Sequence, residues 1–141
     1  MRSFPFARPA ALTCAAVVIS LAAHAHAQGS RRAILEEGKM EFEENCAACH
    51  GKDGSGKGEL GARLAIPPKD LTTFAQRNGG VFPFWPVFEV IAGEKPIPGH
   101  DTLDMPLFSK RMRAQEGQPG FLPAHVRMLE VTHYLESLQK K

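Results

Sequence analysis

Two cysteines three positions apart, followed directly by a histidine, constrain this chain more than any other feature. They are Cys46, Cys49 and His50, with two small alanines between the cysteines. Two thiols at this spacing can form thioether bonds to the two vinyl groups on one edge of a porphyrin, and the adjacent imidazole can then coordinate the iron. The motif therefore predicts haem c attached through Cys46 and Cys49, with His50 as an iron ligand.

Two other chemistries use closely spaced cysteines, and the sequence disfavours both. A redox dithiol is expected in a thioredoxin-like βαβ context, and no such pattern surrounds the motif. A zinc ion needs about four ligands. The third cysteine, Cys14, lies in the N-terminal segment, and the remaining histidines are scattered along the chain. Haem attachment is the interpretation that the motif favours.

The first 27 residues have the composition of a secretory signal peptide. A positively charged start precedes an uncharged, largely apolar run over residues 10–23, and Ala25-His26-Ala27 matches an A-x-A cleavage site. We therefore expect residues 1–27 to be removed and residues 28–141 to form one domain. A retained membrane anchor is the alternative, but the run is short for a bilayer span and the cleavage site argues against it.

The charge balance changes if this segment is removed. The chain has 17 Lys and Arg residues against 15 Asp and Glu residues. Arg2 and Arg8 both precede the cleavage site, so residues 28–141 carry equal numbers of basic and acidic side chains. A neutral domain offers no electrostatic basis for binding nucleic acid. We also expect no membrane association after cleavage.

The rest of the sequence predicts helices separated by long loops. Apolar residues at spacings of three and four, with proline and glycine at the segment ends, indicate helices. No run of alternating apolar residues indicates a strand. We predict helices over residues 31–48, 70–77, 87–92 and 124–138. The segment over 95–109 is rich in proline and predicts a loop, and a short basic run follows it.

From about Arg31 to its end, the chain resembles the class I cytochromes c. The resemblance rests on the motif over residues 46–50, on Met105-Pro106, and on a last helix that carries Tyr134-Leu135. It implies an all-α, small cytochrome c fold in which three to five helices and long loops wrap around one covalent haem. It also implies attachment of the haem outside the bacterial plasma membrane, and therefore a periplasmic protein.

The resemblance also implies how the first and last helices pack. Gly38 and Phe42 match a glycine–aromatic pair that contacts the last helix in this family, and they would meet Tyr134. A cluster of aromatic side chains around Trp85 is expected to form a wall of the haem pocket. Trp85 or Arg77 could donate a hydrogen bond to a haem propionate.

A proline commonly supports the proximal histidine in the family. Its carbonyl oxygen accepts a hydrogen bond from the imidazole Nδ1–H, which fixes the ring and raises the basicity of the ligand. Pro67 and Pro68 are both candidates here, and Pro68 is favoured as the haem-site residue that supports His50. A rigid turn without this hydrogen bond is the alternative.

The second axial ligand decides whether the iron only transfers electrons or also binds small molecules. Met105 is predicted, because Met105-Pro106 matches the distal-ligand motif of the family. His100, Met112 and an open site are the alternatives. Met40 is too close in sequence to the attachment site, and the last helix is expected to pack at the edge of the fold. A thioether ligand would raise the reduction potential of the iron.

These expectations combine into one function. We expect a periplasmic electron carrier, not an enzyme, in which a single His50/Met105-ligated haem c cycles between Fe(III) and Fe(II). Its partners would be an electron donor protein and an electron acceptor protein, and it would act as a monomer or within a redox complex. A haem subunit of a dehydrogenase or oxidase complex is the first alternative. A haem sensor or enzyme with an open distal site is the second, although no distal His-Arg pair is evident.

Overall fold

The computed structural model describes residues 10–95, 97–98 and 108–140, with side chains from residue 28 onward. In these ranges the chain is helical and contains no strand, which confirms the expected all-α class. The helices are α1 Ala10–Asn45, α2 Ala47–His50, α3 Phe74–Arg77, α4 Phe84–Ala92, α5 Phe108–Ala114 and α6 Ala124–Ser137. Two 3₁₀ turns occupy Gly61–Arg63 and Leu71–Thr73.

The chain divides into two units, Met1–Ala33 and Ile34–Lys141. The described part of the first unit is helical. The second unit contains the cysteine motif and all the packing discussed below. Among the residues with described side chains, no helix has the length and apolar character to cross a membrane. The predicted signal peptide over residues 1–27 lies outside those residues and stays a prediction.

Local sequence signals explain several helix ends. The Asp70 carboxylate accepts a hydrogen bond of 2.8 Å from the Thr72 N–H and so begins the Leu71–Thr73 turn. This turn and α3 together occupy the segment predicted as a short helix. Pro86 lies in the first turn of α4, where it removes no intrahelical hydrogen bond. Gly93 ends α4 with a left-handed φ of 73°, a conformation that glycine adopts without strain.

The first helix differs from its prediction at both ends. It begins at Ala10 and ends at Asn45, whereas helix was predicted over residues 31–48. Cys46 leaves the helix, and the N–H of His50 donates to the Cys46 carbonyl oxygen at 2.9 Å within the separate turn α2. The sequence around Cys46 contains no glycine or proline to mark this break. The break gives Cys49 and His50 a short helix of their own.

A second difference lies in the basic run after the proline-rich loop. The run belongs to α5, in which Met112 is completely buried and Ser109 is 5% exposed. These two positions are three residues apart and therefore share one helix face. Lys110, Arg111 and Arg113 remain exposed on the others. The basic residues hide the helical pattern in the sequence, because only Ser109 and Met112 of this helix are buried.

Helix α6 lies at the centre of the second unit, and its predicted place at the edge of the fold is wrong. Val131, Tyr134 and Leu135 pack into one buried cluster with side chains of α1 and α4. Ala124 and Met128 pack into another with side chains of α4 and α5. Helix α6 therefore packs against α1, α4 and α5.

The predicted packing of the first helix on the last is confirmed. A Cβ atom added at Gly38 would overlap the carbonyl oxygen of Glu130 and would lie 3.1 Å from Cβ of Tyr134. The Phe42 and Tyr134 rings have centroids 5.5 Å apart, and Phe42 is completely buried. Gly38 thus allows the two helix backbones to come into contact.

Candidate haem site

A cavity of about 320 Å³ lies beside the cysteine motif. This volume is within the range of small-molecule and cofactor sites. Cys46 and His50 both line it, and His50 is only 6% exposed. Nearly all the other lining side chains are apolar; they include Phe42, Leu71, Phe74, Val87, Val90, Ile91, Val131 and Leu135. The cavity therefore offers sulfur and imidazole donors in an apolar enclosure.

The glycine-rich loop folds back over the motif through backbone contacts. The N–H groups of Gly56 and Gly58 donate to the carbonyl oxygens of His50 at 2.8 Å and of Cys49 at 3.1 Å. A Cβ atom at Gly58 would overlap the Ala48 carbonyl oxygen, so no larger residue fits this approach. Because its carbonyls are bonded by the loop, α2 is held in place although it is one turn long.

Pro68 lies next to this loop. A Cβ atom at Gly56 would overlap the Pro68 carbonyl oxygen, and one at Gly61 would lie 3.2 Å from Pro68 Cγ. Pro68 is partly buried, whereas Pro67 is exposed. Of the two candidates, Pro68 is thus packed against the segment that follows His50. The hydrogen bond from the imidazole Nδ1–H to either carbonyl stays a prediction.

The wall of the cavity near Cys46 is uncharged. Burial raises the pKa of the Cys46 thiol to about 12, and the charges of Glu41 and Cys49 act in the same direction. At neutral pH the thiol is therefore protonated. A neutral thiol beside apolar side chains suits an apolar macrocycle.

The aromatic cluster around Trp85 is placed on a different face of α4 from the one that lines the cavity. Trp85 is 63% exposed and packs edge-on against Phe84 and Phe88, with centroid distances of 5.4 and 5.8 Å. None of these three side chains lines the cavity. The predicted role of Trp85 in binding the cofactor stays a prediction.

Arg77 is also engaged outside the cavity. Its guanidinium lies over the Phe74 ring, 4.9 Å from the centroid, and donates to Thr73 Oγ1 at 2.6 Å. Arg77 is not among the residues that line the cavity. The sequence-based assignment of this residue to a propionate stays a prediction.

Met105 and His100, the two foremost candidates for the second axial ligand, lie outside the described residues. Ile97 and Phe108, which are described on either side of them, both line the cavity. Met112, the other candidate, is completely buried in a cluster with Ala92, Ala124 and Met128 and does not line it.

Residues 35–139 match the cytochrome c family. This chain belongs to that family. Membership accounts for the motif over residues 46–50, since the family binds haem c covalently and Cys46 and Cys49 have the required spacing. The site fits this cofactor, because the Cys46 thiol and the His50 imidazole both line one apolar cavity.

This cytochrome c also matches two curated proteins over short alignments. It is 38% identical over 66 residues to "Cbb3-type cytochrome c oxidase subunit CcoP" of Azospirillum brasilense, an alignment that covers 38% of this chain and 22% of that protein. It is 59% identical over 29 residues to "Cbb3-type cytochrome c oxidase subunit FixPc" of Rhizobium leguminosarum bv. viciae, with coverage of 21% and 10%. The matches thus span less than a quarter of each relative. No solved structure matches the chain significantly.

Sequence reasoning missed the face of α4 that lines the cavity. Five lining residues come from this helix and the residue before it, at spacings of three and four; they are Pro83, Pro86, Val87, Val90 and Ile91. Such a stripe is the usual signature of a buried helix face. The aromatic residues beside this stripe are the stronger signal of a pocket wall in the sequence, because large rings bury the most apolar surface.

Proposed function

We propose that this cytochrome c transfers electrons in the periplasm with His50 and Met105 as the axial ligands of its haem. The observation that carries the proposal is that His50 and two described residues on either side of Met105 in sequence line one cavity. His50 lines it from α2, and Ile97 and Phe108, which precede and follow Met105 in sequence, line it as well.

Haem c, when bound, supplies a one-electron Fe(III)/Fe(II) couple. The protein would supply the thiols of Cys46 and Cys49 as anchors and the His50 imidazole as a ligand. Apolar side chains such as Phe42 and Leu135 exclude water from the cavity. Because water is excluded, little solvent reorganises when the charge on the iron changes, and a thioether ligand favours the reduced state. Both effects suit a carrier and not a catalyst.

The signal-like segment supports the proposed periplasmic location. Residues 10–23 form an uncharged apolar run that ends shortly before an A-x-A site. Cleavage at this site would release residues 28–141, which are neutral in formal charge. Donor and acceptor proteins would then dock transiently through a small interface.

A haem subunit of a terminal oxidase is the second candidate function. It is favoured by the names of the two relatives, both of which are cbb3-type oxidase subunits. It is also favoured by exposed apolar side chains, since Val81 is 66% and Trp85 63% exposed. Electron transfer through the haem would be the same, but the partner would be permanent.

Visible spectra of the haem-loaded protein test the ligand assignment. We expect a covalent c-type spectrum, a weak far-red band of methionine-ligated Fe(III), and no CO binding to the reduced form. Met105→Ala should abolish the far-red band and admit CO. Met40→Ala is the matched control, because Met40 is 57% exposed and does not line the cavity. Retention of the band in Met105→Ala, or its absence from the wild-type protein, would refute the assignment.

A separate experiment distinguishes the carrier from the oxidase subunit. The chain would be expressed with a C-terminal tag in its native host and isolated from soluble and membrane fractions. A monomeric, soluble haem protein supports the carrier. Stoichiometric recovery with a membrane oxidase would instead support the subunit.

A further inference from the structure

Lys95 differs in charge from every other described residue that lines the cavity. Apart from Cys46 and His50, the remaining lining residues are apolar. Lys95 is exposed as well as lining, so it lies where the cavity meets solvent. An apolar enclosure with one cation at its edge is complementary to an apolar molecule that carries an anionic substituent.

The backbone holds this residue in a defined position. Gly93 ends α4 in the left-handed conformation, and the N–H groups of Glu94 and Lys95 both donate to the Glu89 carbonyl oxygen, at 2.9 and 3.2 Å. The Lys95 ammonium forms no ion pair with any described carboxylate, whereas Lys140 pairs with Asp70 at 3.0 Å. Among the described residues, Lys95 is therefore a cation that lines the cavity without a carboxylate partner.

Haem c combines a large apolar ring with two propionates that ionise near or below neutral pH. We propose that Lys95 binds a haem propionate and so orients the ring in the cavity, an inference that rests on the proposed function. The two groups suggested by the sequence are less well placed. Arg77 stacks on Phe74 and donates to Thr73, and Trp85 lies outside the cavity.

The ionisation of the propionates tests this pairing directly. The holoprotein would be produced with ¹³C in the propionate carboxyl carbons, and their carboxylate infrared band would be followed as a function of pH. A nearby cation stabilises the ionised form of a carboxylate and lowers its pKa. Lys95→Gln should therefore move one propionate ionisation to higher pH by about one unit, with solvent exposure limiting the shift.

Three comparisons complete the experiment. Lys95→Arg keeps the charge and should titrate like the wild type. Lys110→Gln removes an exposed lysine of α5 that does not line the cavity and should also titrate like the wild type. The neighbouring carboxylates Glu89 and Glu94 are the same in every variant, and in the holoprotein Cys46 and His50 are bonded to the haem and are also unchanged.

An unchanged propionate titration in Lys95→Gln would overturn the inference, as would an equal shift in Lys110→Gln. These outcomes are distinguishable from failure of the proposed function. A wild-type protein without the c-type spectrum or the far-red band would refute that function before any lysine variant was measured. A normal spectrum in all variants with an unshifted titration would refute only the pairing.

Discussion

Replacement of Gly38 by alanine tests the contact on which the first and last helices depend. The added Cβ would overlap the Glu130 carbonyl oxygen and press on Tyr134 Cβ at 3.1 Å. The Glu130 oxygen belongs to the backbone of α6, so no side-chain rotation can remove the overlap. The helices must separate, and the buried contact between Phe42 and Tyr134 would loosen with them.

Two opposing terms set the size of the effect. Alanine is favoured over glycine inside a helix by about 1 kcal/mol. Forcing an extra carbon into a packed contact costs about 1–3 kcal/mol, and a clash with rigid backbone belongs at the upper end of this range. We therefore expect Gly38→Ala to lower the free energy of unfolding by about 2 kcal/mol. Helix propensity alone would predict that Gly38→Ala raises the free energy of unfolding.

Guanidinium unfolding of the haem-loaded protein, followed by far-UV circular dichroism, measures this difference. We expect a lower midpoint in Gly38→Ala with the same dependence of the unfolding free energy on denaturant concentration. Gly29→Ala is the matched control, because Gly29 is also in α1 and a Cβ there would meet nothing within 4 Å. We expect no loss of stability in the control. A Gly38→Ala protein as stable as the wild type would refute the inferred contact between the two backbones.

Two further predictions concern charged groups. Arg127 and Glu41 form an ion pair whose side chains are 7% and 15% exposed, so Arg127→Met should lower the free energy of unfolding by about 3–5 kcal/mol. Arg111→Met, at an ion pair with Glu44 that is more than half exposed, should lower it by less than about 1 kcal/mol. Similar losses for the two variants in guanidinium unfolding would contradict this prediction. Hydrogen bonds from Thr72, reinforced by an ion pair, lower the pKa of Asp70 from 3.8 to about 2. The stabilisation by the ionised Asp70 should therefore be present above about pH 4 and disappear toward pH 2. Over this range, the difference in unfolding free energy between the wild type and Asp70→Asn should decrease. A difference that stays constant with pH would contradict the prediction.

The features that could be predicted from the sequence are those with a local chemical cause. The spacing of Cys46, Cys49 and His50 specifies a covalent haem site because the porphyrin edge has a fixed width. The stop at Gly93 follows from its left-handed backbone. The contact of Gly38 with the last helix was predictable only through the family resemblance, since a glycine that costs helix stability does not by itself name its partner.

Other features depend on contacts between distant residues and leave no local pattern. Arg127 and Glu130 are charged residues of the last helix, yet they are only 6% and 9% exposed. Arg127 is buried because Glu41, 86 residues earlier, supplies its counterion, and Gln115 accepts a hydrogen bond of 2.8 Å from it. A charge can be buried when such partners are present. The helical pattern of the sequence places Arg127 in solvent, because the sequence does not show that Glu41 is its partner.

The end of the chain shows why fold and site cannot be separated in this protein. The Gln139 amide donates to the Leu71 carbonyl oxygen at 2.9 Å and accepts from the Ala75 N–H at 3.0 Å. Leu71 and Phe74, in the same segment, line the cavity. A glutamine after the last helix is expected at the surface. Here its amide forms hydrogen bonds with backbone groups of a short turn that has few hydrogen bonds of its own. The wall of the haem site formed by Leu71 and Phe74 is thus held by Gln139, 68 residues after Leu71 in the sequence.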